Sequence, residues 1–77
     1  TSYNNIGEVY YHQGNYEKAL EYLNKALEIR VKVLGAEHPD IASTYNNIGV
    51  VYGDQGEYEK AVEYYKKAFY LSKQPHQ

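Results

Sequence analysis

The 77-residue chain has no cysteine, which excludes a disulfide framework, a thiolate metal site and a cysteine nucleophile. Positive charge is in deficit too: eight lysines and arginines face ten aspartates and glutamates, for a formal charge of −2. No whole-molecule positive field exists to collect nucleic acid or an anionic membrane, so neither is an expected partner. Long apolar runs are missing. The longest uncharged stretch, Ile41 to Gly53, carries Ser43, Thr44, Asn46 and Asn47 and falls far short of the roughly 20 apolar residues that span a bilayer. The chain opens on Thr1 without a methionine or an apolar leader, the mark of a processed product or a piece of a longer chain. With no targeting signal in it, the cytoplasm is the expected compartment. What is present, 43% hydrophobic and 23% charged residues, fits a chain that folds around one thin core.

The residues themselves repeat. YNNIG occurs at 3–7 and again at 45–49, an offset of 42, and QGNYEKALEY at 13–22 meets QGEYEKAVEY at 55–64. Residues 3–27 and 45–69 share 17 identities in 25 aligned places. That level fits a duplication, recent or designed. Periods of about 20–50 residues mark stacked supersecondary units that cannot bury their apolar side alone.

Within each unit the apolar spacing is helical. Ile41, Tyr45, Ile48, Gly49 and Tyr52 fall at i, i+4, i+7, i+8 and i+11, one face of a helix. His38-Pro39-Asp40 signals its start, with proline suited to the first turn and aspartate to the positive end of the helix dipole. Gly14 and Gly56 suit left-handed caps that end the first helix of each unit. Tyr16, Ala19, Leu20, Leu23, Ala26, Leu27 and Leu34 make a second stripe, closed by Gly35, with Glu21/Lys25 and Glu28/Lys32 as outer ion pairs. The prediction is an all-α chain of four helices, A1 near 2–13, B1 near 16–34, A2 near 39–55 and B2 near 58–73. They form two units, 1–35 and 36–77. No segment alternates like a strand.

A helical hairpin with a glycine turn and this pattern resembles a tetratricopeptide repeat, which asks for a large residue, then Leu, Gly and Tyr on helix A and Ala, a large residue and Ala on helix B. Tyr3, Ile6, Gly7, Tyr10, Ala19, Leu23 and Ala26 hold those places, and Tyr45, Ile48, Gly49, Tyr52, Ala61, Tyr65 and Ala68 hold them again. The resemblance implies a short right-handed solenoid of antiparallel hairpins and a protein-interaction scaffold. The usual period is about 34 residues; the longer unit and its LGAEHPDIAS connection are similar to the repeats of the kinesin light chain. Gly7 and Gly49 are expected where helix A presses on helix B, leaving no room for a side chain. Most of the eleven tyrosines supply the large partners, with hydroxyls at the rim.

Beside the core stripe, helix A2 carries a second face with Asn46, Asn47, Val50 and Asp54, matched on A1 by Asn4, Asn5, Glu8, Tyr11 and His12. By resemblance this face lines a concave groove that holds an extended peptide, with Asn5 and Asn47 in the place from which the family's asparagines bond a peptide backbone. A carboxamide offers donor and acceptor without charge. The plainer alternative is an asparagine that joins a local network or faces solvent. All eight basic residues lie on the B helices (Lys18, Lys25, Arg30, Lys32, Lys60, Lys66, Lys67 and Lys73) and none on the A helices. Family members that grip a carboxylate use basic residues from helix A; Asn4 and Glu8 stand in the matching places. The expected partner is therefore a neutral or basic extended segment of a protein.

No enzyme activity, metal or cofactor is expected. His12, His38 and His76 have no second ligand at helical spacing. Glu17/Glu21 and Glu59/Glu63 read as solvated surface, and Gly49, Gly53 and Gly56 neither follow a strand nor meet a lysine as a phosphate loop would. A second class of function stays open. About three repeats are normally needed for stability, and Val62, Tyr65, Phe69 and Leu71 run along B2 with no later helix to cover them. Uncapped ends would let copies stack end to end or swap hairpins at the Gly35 connection.

Overall fold

The computed structural model describes residues 3–35 and 38–73. Four helices follow one another, α1 (Tyr3–His12), α2 (Tyr16–Leu34), α3 (Asp40–Asp54) and α4 (Tyr58–Ser72). No strand occurs among the described residues. The expected start of the first helix at residue 2, the expected unit boundary at 35/36 and His76 touch or fall among residues outside the described ones.

Three glycines turn the chain: Gly14, Gly35 and Gly56 have φ of 79°, 93° and 83°, a region that residues with a Cβ rarely enter. After the first turn the Asn15 side chain accepts the N–H of Lys18 at 3.3 Å and caps α2; Glu57 holds the same place before α4 without a side-chain cap. Pro39 lies one place before α3, at its N-cap. The ring of His38 does the capping there, its Nδ1 accepting the N–H of Asp40 at 3.1 Å. Arg30, near the end of α2, donates from Nη1 to the Asp40 carbonyl at 3.1 Å and to the Ser43 hydroxyl at 3.4 Å. This clamp sets where α3 begins along α2.

Packing follows from the small residues. A Cβ on Gly7 would lie 2.9 Å from Leu23 Cγ, and one on Gly49 would lie 2.9 Å from the Tyr65 ring. Each A helix therefore seats directly on its B helix. Ala19, Leu23, Ile48 and Val51 form one buried cluster, joining α2 to α3. Ile41, Ala42, Ala68 and Leu71 form the other, with Leu27, Val31 and Tyr45 at its edge. Three details differ from the sequence reading. Leu71 is buried beneath the first turns of α3. Leu34, placed in the α2 stripe, is exposed. Of the two ion pairs expected on α2, Glu21–Lys25 closes, at 3.9 Å.

A second kind of contact repeats with the sequence. Tyr22 stacks on Tyr10 at 5.6 Å and 14°, and Tyr64 stacks on Tyr52 at 5.6 Å and 19°. Tyr3 and Tyr45 extend the two stacks. Lys25 lies 5.2 Å above Tyr22 and Lys67 lies 4.9 Å above Tyr64. The lysines that keep the outer face solvated thus also cover the aromatic seam between A and B.

Thr44 is buried, and its hydroxyl has no hydrogen-bond partner. A helical threonine usually donates to the carbonyl four residues back, but the Asp40 carbonyl already accepts from Ser43 and Arg30. Replacing Thr44 by valine keeps the shape and removes the unpaired hydroxyl. The expected gain is about 1 kcal/mol, read as a raised urea midpoint with unchanged slope; a loss of stability would show that the hydroxyl is bonded.

Candidate functional site

The two A helices, α1 and α3, both pack on Leu23 of α2. Between α1 and α3 lies a pocket of about 180 Å³ lined by Glu8, Tyr11 and His12 from α1, Asn47, Val50 and Val51 from α3, and Leu23 of α2. Leu23 and Val51 are buried and make an apolar floor; Glu8 and His12 are exposed at its edge. Of the eight expected groove residues, Glu8, His12, Asn47 and Val50 line this pocket.

The other four are placed as follows. Asn4 is partly buried and accepts a hydrogen bond from Asn47 Nδ2 at 3.3 Å. One asparagine of the first copy thus holds one of the second, tying α1 to α3 across the cleft. Asn5 and Asn46 are exposed and do not line the pocket. Asp54 is exposed, and its carboxylate acts on the hydroxyl of Tyr11. The Tyr11 hydroxyl titrates above its ordinary range, first because of the hydrogen bond it donates to Asp54, then because of burial and the carboxylate's charge.

Tyr11 was placed on this face in the sequence, but Val51 was assigned to no face and Leu23 only to the hairpin core. The available signal was Thr44, Ile48 and Val51 at i, i+4 and i+7. A helix held between two neighbours needs two apolar stripes, and this is the second. Each position of the hairpin signature can be placed as well. Gly7, Ala19, Leu23, Ala26, Ile48, Gly49, Ala61 and Ala68 are buried, Ile6, Tyr10, Tyr45 and Tyr52 are partly buried, and Tyr3 and Tyr65 are exposed.

Tyr64 also titrates high, chiefly through burial and then through the neighbouring Tyr52 and Tyr45. A group whose pKa is raised on folding contributes stability that is complete below its unfolded value, near 10 for tyrosine, and is lost as pH climbs through the folded value. Stability should therefore hold level up to about pH 10 and fall above it. Tyr64→Phe should flatten that alkaline fall in a urea titration, whereas an unchanged slope would remove Tyr64 as its source.

Among the described residues no three histidines or carboxylates group as metal ligands, and no helix is long and apolar enough to cross a membrane. A family model described as Tetratricopeptide repeat matches residues 1–74. A nucleotide-binding leucine-rich repeat (NLR)-like protein from Hyaloscypha variabilis is 50% identical over 36 residues, which is 47% of this chain and 4% of that protein. The chain thus matches a small part of that much longer relative, over less than one of its own 42-residue periods. With a family match over nearly every residue and the two glycine-seated hairpins that the family's pattern describes, the chain belongs to the tetratricopeptide repeat family.

Proposed function

We propose that the cleft between α1 and α3 holds an extended segment of a partner protein, neutral or basic in character. Membership of the family supports a protein-interaction module in general; the pocket supports the finer reading. One observation carries it. The cleft combines a buried apolar floor, Leu23 and Val51, with the Asn47 carboxamide and the carboxylate of Glu8, and no lysine or arginine lines it. Asn47 gives one amide hydrogen to Asn4, which leaves a second donor and the carbonyl oxygen for a peptide backbone. Asn4 lies at that point, and Asn5 and Asn46 are exposed on the same two helices.

The test is a binding titration with short dye-labelled peptides of glycine, serine and leucine that differ only in carrying lysine or glutamate. The lysine peptide is expected to bind more tightly, with Asn47→Ala weakening it about five- to thirtyfold, the equivalent of about 1–2 kcal/mol. Preference for the glutamate peptide would sink the reading.

A second reading, self-association through the helix ends, is favoured by a separate observation. Val62, Tyr65 and Phe69 lie exposed along α4, on the side where the equivalent residues of α2 are covered by α3.

A further inference from the structure

The 42-residue offset can be applied to surfaces as well as to letters. The contact between α2 and α3 buries Leu23, which is 1% exposed, against Ile48 and Val51. Adding 42 to the α2 residues gives the outer face of α4: Leu20, Leu23 and Leu27 become Val62, Tyr65 and Phe69. Subtracting 42 from the α3 residues gives α1, where Ile48 and Val51 become Ile6 and Val9. Both derived surfaces are open. Tyr65 is 39% exposed where Leu23 is covered, and Val9 is 55% exposed where Val51 is 1%. One chain thus carries at opposite ends the two halves of an interface that it already closes once in its middle.

We infer that α4 of one copy receives α1 of a second copy in the register by which α2 receives α3, so that copies add head to tail. This rests on the self-association reading and specifies its geometry. The twin asparagines fit the operation. Asn47 bonds Asn4 inside the chain, and the same step between copies sets Asn5 of the incoming chain against Asn46 of the receiving one. Both are exposed on the described surface. Because one end differs from the other, the contact is heterologous and does not close on itself as a two-fold dimer would.

The step between copies is weaker than the internal one for an identifiable reason. Inside the chain, Val50 and His12 line the same pocket. Their equivalents are Glu8 of the incoming copy and Asp54 of the receiving one, so the register sets two carboxylates against each other where the internal contact sets a valine against a histidine. Association should therefore strengthen with added salt, which screens the two carboxylates. Glu8→Val, which restores the internal residue, should move association to about tenfold lower concentration.

The deciding experiment uses light scattering over a concentration series with two blocked variants, Val62→Glu on the receiving face and Val9→Glu on the donating face. Both sites are exposed, and circular dichroism checks that both variants stay helical. The wild type is expected to grow in mass with concentration and each variant alone to stay monomeric. An equimolar mixture of the two should form a one-to-one pair and stop there, since one good face of each kind remains. A wild type that is monomeric at every concentration overturns both the register and self-association. Growth of the wild type that Val62→Glu abolishes and mixing does not restore overturns the register alone and leaves self-association through another geometry.

Discussion

Leu23→Ala should cost about 3 kcal/mol, within the roughly 2–5 kcal/mol range for truncating a buried leucine. The reason is position. Leu23 belongs at once to the contact with Gly7 of α1, to the cluster with Ile48 and Val51 of α3, and to the floor of the cleft. Truncation opens a cavity bounded by three helices, none of which can close it without leaving another neighbour. Against a total of about 4–12 kcal/mol for a domain of this length, that loss removes a large part of the stability. Tyr65→Ala, the same change one repeat later, should cost about 1 kcal/mol, since that side chain keeps 39% of its exposure and its removal leaves a dent open to water rather than a void. Urea unfolding followed by circular dichroism measures both. Equal costs would mean that α4 is as well covered as α2 and would remove the basis for an open end.

The contrast also shows what a single sequence makes legible. The glycine seats, the glycine turns and the alanines on the B helices could be read because each answers to its nearest neighbours, and the repeat states every such requirement twice. The inner face of α1 and α3 could be read as a face, since a strip of Asn, Glu and His has no place in a core. Its internal arrangement was less accessible. That Asn47 spends a hydrogen bond on Asn4 while Asp54 reaches Tyr11 depends on how far apart the two A helices stand, which no spacing within one helix records. Leu71 illustrates the same gap. Its counterpart Ile29 is exposed while Leu71 is buried, because α3 begins at Asp40, five places before Tyr45, whereas α1 begins at Tyr3 itself among the described residues. Two positions alike in the repeat thus differ in the fold through the length of the helix lying over them.

Gly7 and Gly49 make the sharpest case of this kind, since substitution by alanine should separate them by about 2 kcal/mol although their immediate sequences, YNNIG, are the same. Alanine in place of a mid-helix glycine gains about 1 kcal/mol of helix propensity at either site. The opposing term is steric. At Gly7 the new Cβ meets Leu23 Cγ at 2.9 Å and the Ala19 carbonyl oxygen at 3.1 Å; the first is locked in the core beneath α3 and the second is backbone. Neither can yield without moving α1 off α2, an overpacking cost of about 1–3 kcal/mol that outweighs the propensity and leaves Gly7→Ala net destabilising. At Gly49 the three nearest atoms all belong to the Tyr65 ring, at 2.9–3.2 Å. That ring lies on the open side of α4 and can swing outward, so the propensity gain survives and Gly49→Ala should be neutral to slightly stabilising. Thermal unfolding of the two variants side by side gives the answer. A Gly49→Ala variant as damaged as Gly7→Ala would show that Tyr65 is held as firmly as Leu23, and a harmless Gly7→Ala would show that α1 can lift from α2 without disturbing the cluster that joins α2 to α3.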